Sequence, residues 1–334
     1  MKKKPLLTIA IPTYNRGDRL NLLLEALSCE NFGDQIEVII ADNASEDNTA
    51  DVIGRYLESN PKWIAYRHAE NLGMDGNFLS CYLKATGEYL WLLGDDDRIV
   101  SGGIRAVLNL IELENPDLIY TASAWTANIW GHKGANVPQT LPYIIMDADD
   151  FAVSVNVWFT FISGNIARIS QKYLSEPWWR QFDGSKLIQL GWILPVLITG
   201  RKFAYISKPL IVAQAENSGG YKVFEVFGEN LFQIATKLLP EKLASHILKY
   251  TCAVHVPALI WNKTSGKQDK FLKEDILQSL ACYRKYAAYW LIVFPMLLMP
   301  GRVAGFPFAA ASRGAKYLWL FRGLIFSSKN SKSR

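Results

Sequence analysis

The chain has 334 residues, half of them apolar and a fifth charged, which is the balance of an ordinary folded globular protein with a large core. Its four cysteines, Cys29, Cys81, Cys252 and Cys282, are far apart, so neither a zinc cluster nor a disulfide framework is expected, and a reducing cytoplasm fits best. The net charge of +5 is concentrated at one end: no acidic residue follows Asp275, whereas nine basic ones do. That end is suited to meet something anionic. Nothing in the composition calls for a nucleic-acid partner.

The opening MKKKPLLTIAIPTYNR looks superficially like a signal peptide, but its apolar run covers only Leu6–Ile11 and meets Pro12. It reads as a first strand. Leu20, Leu23, Leu24 and Leu27 then recur at helical spacing, and IEVIIA (36–41) is a second buried strand. After the polar DNASEDNT comes a helix carrying Val52, Ile53, Tyr56 and Leu57, then a strand over 63–68. Residues 78–85 read as a helix and YLWLL (89–93) as a strand ending at Gly94. A helix over 103–114 and a strand over 118–122 complete the alternation. Such alternation predicts an α/β fold, a mostly parallel sheet flanked by helices. Ligands in such sheets bind beyond the carboxyl ends of the strands. Those ends are Pro12-Thr13-Tyr14-Asn15, Asp42-Asn43 and Gly94-Asp95-Asp96-Asp97, and they should line one crevice.

From about 125 to 225 the pattern is less regular, and Trp125, Trp130, Trp158, Trp178, Trp179 and Trp192 serve either an acceptor-binding half, residues 126–225, or an aromatic core. Residues 226–334 read as a helical C-terminal extension beyond a first domain of residues 1–225. Within it AAYWLIVFPMLLM (287–299) is too short to span a bilayer. Together with the basic, aromatic KYLWLFRGLIF (316–326) it is either an interfacial anchor or a helical pair packed on the domain; the loss of acidic residues favours membrane-surface contact.

Three adjacent carboxylates at a strand end repel each other, and a hard divalent cation, Mg²⁺ or Mn²⁺, relieves that cost. A cation there could also hold a diphosphate as it leaves. A solvated acidic turn would give the same three letters; the two other polar strand ends argue for a site. The histidines, His68, His132, His246 and His255, show no metal-ligand spacing.

In order, IAIPTYNR, IIADNASEDN, NLGMDGNF and GEYLWLLGDDD resemble the family 2 glycosyltransferases of the GT-A fold over about the first 125 residues. YISKPLIVAQAENS (205–218) is similar to a segment of the bacterial abequosyltransferase-like enzymes of O-antigen synthesis. The resemblance implies a nucleotide-sugar donor held by Pro12, Thr13, Tyr14, Arg16, Asp42, Asn43, Asn71, Gly73, Asn77, Asp95 and Asp96. It implies a metal on Asp96 with help from Asp97. Asn43 stands where Asp or Gly is more usual, and Gly94 replaces the first Asp of the DxD signature. The Glu-Asp pair that usually supplies the catalytic base is missing from RQFDGSKLIQLGWILP, which leaves Asp183 and then Glu216 as candidates, and leaves inversion or retention open. The implied activity is sugar transfer to a glycan acceptor, lipid-linked, in bacterial surface polysaccharide synthesis, peripheral at the inner face of the cytoplasmic membrane. A non-catalytic carbohydrate-binding or scaffolding protein on the same fold is the alternative. An oxidoreductase or a nucleotidyltransferase would need a Gly-rich loop after the first strand, and PTYNR has none.

Overall fold

A computed structural model describes residues 4–30, 33–129, 141–170, 177–215, 220–264, 272–299 and 306–319. Strand β1 (Leu7–Thr13) is buried along its whole length and pairs in parallel with β2 (Ile36–Asp42) on one side and β4 (Tyr89–Leu92) on the other. β3 (Ile64–Arg67) continues the parallel half beyond β2. Burial on both faces explains why these segments read as continuous apolar runs instead of alternating ones. The helices connecting them are α1 (Gly17–Ser28), α2 (Thr49–Ser59) and α3 (Gly73–Lys84). All four leucines predicted to face inward from α1 are buried, Leu20, Leu23 and Leu24 completely, and they pack into one core with Ile9, Ile11, Val38 and Trp91. Each buried leucine contributes roughly 1.5–3 kcal/mol.

The other half of the sheet is mixed. β8 (Asn165–Arg168) lies antiparallel between β4 and β6 (Leu118–Thr126), so the predicted strand at 118–122 is present but not beside β4. β6 pairs in parallel with the long β9 (Phe203–Gln214), which also carries the two-residue β5 (Arg98–Ile99) and β7 (Tyr143–Met146). Helix α4 (Gly103–Glu114) buries Ile104, Val107, Leu108, Leu110 and Ile111 in the same core as β1. A buried carboxylate staples the amino ends of the strands. Glu37 accepts hydrogen bonds from Thr8 Oγ1 (2.6 Å), Thr86 N (2.9 Å) and Thr86 Oγ1 (2.7 Å).

By contacts the chain divides into two units. The first is Met1–Ile145, Thr160–Val196 and Gly200–Glu216, which holds the sheet; the second is Met146–Phe159, Leu197–Thr199 and Asn217–Arg334. In the second, α5 (Ala148–Val155) is capped by Asp147, whose side chain accepts Asp150 N, and packs against the helix Glu241–Tyr250. Asp149 receives Lys242 Nζ at 2.8 Å and lies 3.2 Å from His246 Nε2. Among the described residues one helix, Glu241–Lys263, is long and apolar enough to cross a membrane, but 61% of its most apolar stretch is buried within the protein. The short apolar helix Tyr289–Leu298 carries Pro295 near the start of its α-helical part, where a missing N–H costs least.

The tryptophans divide between roles. Trp192 is buried and stacks on Tyr82 with ring centroids 4.6 Å apart, whereas Trp125 is 47% exposed beside Phe161. Trp158 packs edge-on to His255 in the second unit. Trp130 and the side chains of Trp178 and Trp179 lie outside the described residues.

His255 yields a pH prediction. It is enclosed by Trp158 and Phe227, and burial pushes its pKa down to about 4. The folded state therefore keeps it neutral while the unfolded chain protonates near 6.5. The stability this group contributes is complete above pH 6.5 and is lost as pH falls toward 4. Between pH 7.5 and 5 the loss is about 2 kcal/mol. Denaturant titrations of wild type and His255→Phe should show the variant losing less stability over that interval; equal losses would contradict the assignment.

Candidate active site

The parallel register puts the carboxyl ends of β1 and β2 side by side, with Thr13 opposite Asp42. β4 stops two residues before Gly94, and Leu93 N still donates to Ala10 O. The three polar strand ends therefore meet at one edge of the sheet, as the sequence implies.

Thr13 Oγ1 donates to Asp95 Oδ2 at 2.8 Å. A single nitrogen of Arg16, Nη1, lies 2.8 Å from both Asp95 Oδ1 and Asp96 Oδ2. Arg19 Nη1 adds a third, longer contact to Asp96 Oδ2 at 3.3 Å. Burial pushes Asp95 up to about 6, with the Arg16 charge opposing it and Asp96 adding to it. Burial also works against the Arg16 charge, but Asp95 and Asp96 outweigh it and the guanidinium stays protonated.

Asp97 has a different partner. Ser163 Oγ donates to its Oδ2 at 2.5 Å and itself accepts Gly94 N–H at 2.9 Å. Burial first, then the neighbouring Asp96, raises the Asp97 carboxyl to about 7, against the Ser163 hydrogen bond. Of the two residues the sequence gives to the metal, Asp96 is paired with Arg16 and Arg19, whereas Asp97 is engaged by Ser163. Among the described residues no group of three His, Cys, Asp or Glu side chains forms a ready-made cation cage.

The turn also explains Gly94. A Cβ there would come within 2.9 Å of Asp97 Oδ2 and 3.3 Å of Asp96 Oδ1. The carboxylates fold back over the position where the DxD signature usually has its first Asp. Gly94→Asp should therefore destabilise the protein, by about 1–3 kcal/mol, and weaken nucleotide binding instead of improving it. A chemical melt and a nucleotide titration of the variant check this; unchanged stability would mean that the turn is looser than described.

The two loops after β1 and β2 latch each other. Asn15 takes a left-handed φ of 50°, its N–H donates to Ser45 Oγ, and its Oδ1 accepts Glu46 N–H at 2.7 Å. Asp47 reaches back to accept Gly17 N–H at 3.0 Å at the start of α1. A Cβ on Gly17 would press on the backbone at 2.9 Å from Thr49 N, and on Asn48 Oδ1 at 2.0 Å, which favours glycine there. Half of the polar DNASEDN run thus builds the loop. Tyr14 stands 40% exposed beside it, and Pro12 is buried in β1.

Asp42 is 2% exposed; its Oδ1 accepts Ser45 N–H, while its Oδ2 has no hydrogen-bond partner and lies 3.7 Å from Arg67 Nε. Asn43 uses both ends of its amide: Nδ2 donates to Asn71 Oδ1 and Gly73 O, and Oδ1 accepts Leu72 N–H. A carboxylate could not donate those two bonds, which explains the substitution at 43. Asn71 Oδ1 also takes Gly73 N–H, and Asn77 Nδ2 binds Ala41 O at 3.1 Å. The side chains of Asn43, Asn71 and Asn77 are thus engaged in holding the strand ends and the start of α3 together.

Asp183 is exposed in the turn after Pro177–Phe182, its N–H bonded to Arg180 O. The same segment is tied to α3, where the buried Asp75 accepts Lys186 N–H at 2.9 Å. Burial raises the Asp75 carboxyl, and the charge of Asp183 adds to that rise. Asp183 is therefore brought to the α3 side of the strand-end edge. Glu216 lies outside the described residues. Sequence reading missed Arg19, Asp75 and Ser163. Arg19 alone had a local signal, three residues after Arg16 on the same face of α1.

Known proteins resemble this chain. Residues 8–137 match the Glycosyl transferase family 2 domain. Abequosyltransferase RfbV of Salmonella typhimurium is 26% identical over 234 residues, covering 64% of this chain and 67% of the relative. The GalNAc(5)-diNAcBac-PP-undecaprenol beta-1,3-glucosyltransferase of Campylobacter jejuni is 30% identical over 106 residues, covering 31% of this chain and 34% of that enzyme. Among solved structures, S. aureus TarS 1–349 in complex with UDP aligns with a TM-score of 0.60 at 16% identity, covering 93% of this chain and 91% of that one. The mannosyltransferase PcManGT of Pyrobaculum calidifontis, in complex with GDP-Man and Mn²⁺, aligns at 0.52 with 15% identity, covering 99% and 88%. With the parallel strand ends and the GDDD turn, these matches show a family 2 glycosyltransferase domain over residues 8–137, in a chain with the GT-A fold.

Proposed function

We propose that the chain is a metal-dependent transferase moving a sugar from a nucleoside-diphosphate donor to a lipid-linked glycan, in the synthesis of a bacterial surface polysaccharide such as an O-antigen. The observation that carries this reading is the carboxylate pair Asp95–Asp96, held together by one guanidinium nitrogen at the ends of three parallel strands. Two hard carboxylates already sharing a cationic partner suit Mg²⁺ or Mn²⁺, which typically take one or two protein carboxylates and complete their shell with phosphate oxygens and water. Asp96 would be the principal ligand, with Asp95 beside it, while Asp97 supports the turn. When bound, the ion would neutralise charge on the departing diphosphate.

The chain's own residues supply the remainder. Asp42, whose buried Oδ2 accepts no hydrogen bond and lies 3.7 Å from Arg67 Nε, and the exposed ring of Tyr14 would receive the nucleoside. Arg16 and Arg19 offer guanidinium groups to the diphosphate. Asp183, in the turn tied to α3 by Asp75, is the candidate to accept the proton of the acceptor hydroxyl.

The acceptor class rests on the relatives' names and on the C-terminal unit. Trp290, Leu291, Leu298, Phe306, Tyr317 and Leu318 are each at least half exposed there, in a stretch of sequence that also carries Arg284, Lys285, Arg313 and Lys316. Exposed apolar rings with basic neighbours suit an anionic lipid surface. Melting curves with a panel of nucleoside diphosphates, with and without Mn²⁺, test the donor half. One diphosphate should raise the melting temperature only with the ion present, and a shift by a dinucleotide alone would refute the reading. Sedimentation with vesicles containing anionic lipid tests the membrane half; protein that stays in the supernatant refutes that part.

A further inference from the structure

The GDDD turn contains a cation of its own. Arg16 Nη1 is equidistant, at 2.8 Å, from one oxygen of Asp95 and one of Asp96, the two carboxylates that would hold a metal ion. Its backbone is fixed: its N–H donates to Thr49 Oγ1 at 3.3 Å, and its carbonyl accepts Leu20 N–H at 2.9 Å on entering α1. The side chain, by contrast, is 32% exposed, so the guanidinium can swing while the Cα stays in place. Arg19, on the same face of the helix, is half exposed and makes only the longer contact to Asp96. Asp95 and Asp96 are thus matched in charge by Arg16 and Arg19, and Asp97 is turned to Ser163.

We propose that Arg16 is a placeholder for the divalent cation, keeping the carboxylate pair closed to metal until a nucleoside diphosphate arrives; this rests on the donor reading above. A guanidinium stays charged at any working pH, so it cannot vacate the position by losing a proton and must move. A divalent ion entering alone would meet two guanidinium charges across a short gap, which is unfavourable. A diphosphate arriving with the ion reverses that balance. It supplies anionic oxygens for the metal, and Arg16 can exchange Asp95 and Asp96 for phosphate oxygens that match its planar fork. Metal binding and nucleotide binding are then coupled, each tightening the other by the same factor. The coupling comes from displacement of Arg16 in addition to direct metal–phosphate contact, so it should shrink when Arg16 is removed.

The test is Mn²⁺ uptake by the metal-free full chain, followed by electron paramagnetic resonance of the free ion, with and without UDP or GDP. Wild type should bind Mn²⁺ weakly alone, and the effective nucleotide should tighten binding by about tenfold or more. Arg16→Gln should bind Mn²⁺ alone about tenfold more tightly than wild type and gain less from the nucleotide. Arg19→Gln should shift the metal-only affinity in the same direction by less. If Arg16→Gln does not fold, the nucleotide dependence in wild type and in Arg16→Lys, which retains a charge but loses the fork, carries the test. Wild type that binds Mn²⁺ equally with and without nucleotide overturns the proposal, as does Arg16→Gln with unchanged metal-only affinity; either result leaves the donor reading intact. Nucleotide binding with no Mn²⁺ uptake under any condition removes metal dependence and this proposal together.

Discussion

Asp96→Asn is expected to reduce sugar transfer by about 10²–10³-fold, the scale on which losing one preorganised electrostatic contact to a developing charge acts. The substitution keeps the shape of the side chain and removes the charge that the cation would use. Stability should change little, because Asp96 is the most accessible of the three aspartates and Arg16 retains Asp95. Melting temperature and Mn²⁺-dependent nucleotide binding, measured on the same preparation, separate the two effects. A variant that transfers sugar at the wild-type rate would show that Asp96 is not the ligand.

Asp95→Ala should have a different signature, losing activity and stability together. Asp95 is 5% exposed and joins β1 to the turn through Thr13 while pairing with Arg16. Removing one partner of a buried pair typically costs 3–5 kcal/mol, roughly. Here the Arg16 side chain is 32% exposed and can turn to Asp96 or to water, so about 2–3 kcal/mol is the expected loss. Denaturant unfolding should show a lower midpoint with an unchanged slope. Donor affinity should fall even where the variant is fully folded. Unaltered stability would mean that the Thr13–Asp95–Arg16 chain does not brace the turn.

The parallel half of the sheet was legible because burial on both faces leaves a plain mark in the sequence: LTIAIPT and IEVIIAD have almost no polar interruption. Of the mixed half only β6 was. β5 has two residues and β7 and β8 four each, too short to give a period, and β8 enters between β4 and β6 from further along the chain than either. The position of the site was legible for the same reason as the strands, since polar residues directly after buried strands must collect at one edge. What each residue does there was less so. Asn43, Asn71 and Asn77 occur in motifs associated with the nucleotide, yet their amides are engaged with one another and with backbone carbonyls. Asp97 looks equivalent to Asp96 in the sequence, and their partners distinguish them: Arg16 and Arg19 for Asp96, and Ser163, 66 residues away, for Asp97. Long-range partners of this kind leave no local signature. The charge run at the C-terminus was visible at once, whereas the burial of the apolar helix Glu241–Lys263 depends on tertiary packing that composition does not encode.

A crystal structure with a nucleoside diphosphate and Mn²⁺, located by anomalous scattering, tests the central claim most directly. The account predicts a metal peak bonded to the Asp96 carboxylate and to the diphosphate, with Arg16 turned off the Asp95–Asp96 pair and the nucleoside lying between Tyr14 and Asp42. A diphosphate bound away from the carboxyl ends of β1, β2 and β4, with the ion absent from Asp96, would contradict it.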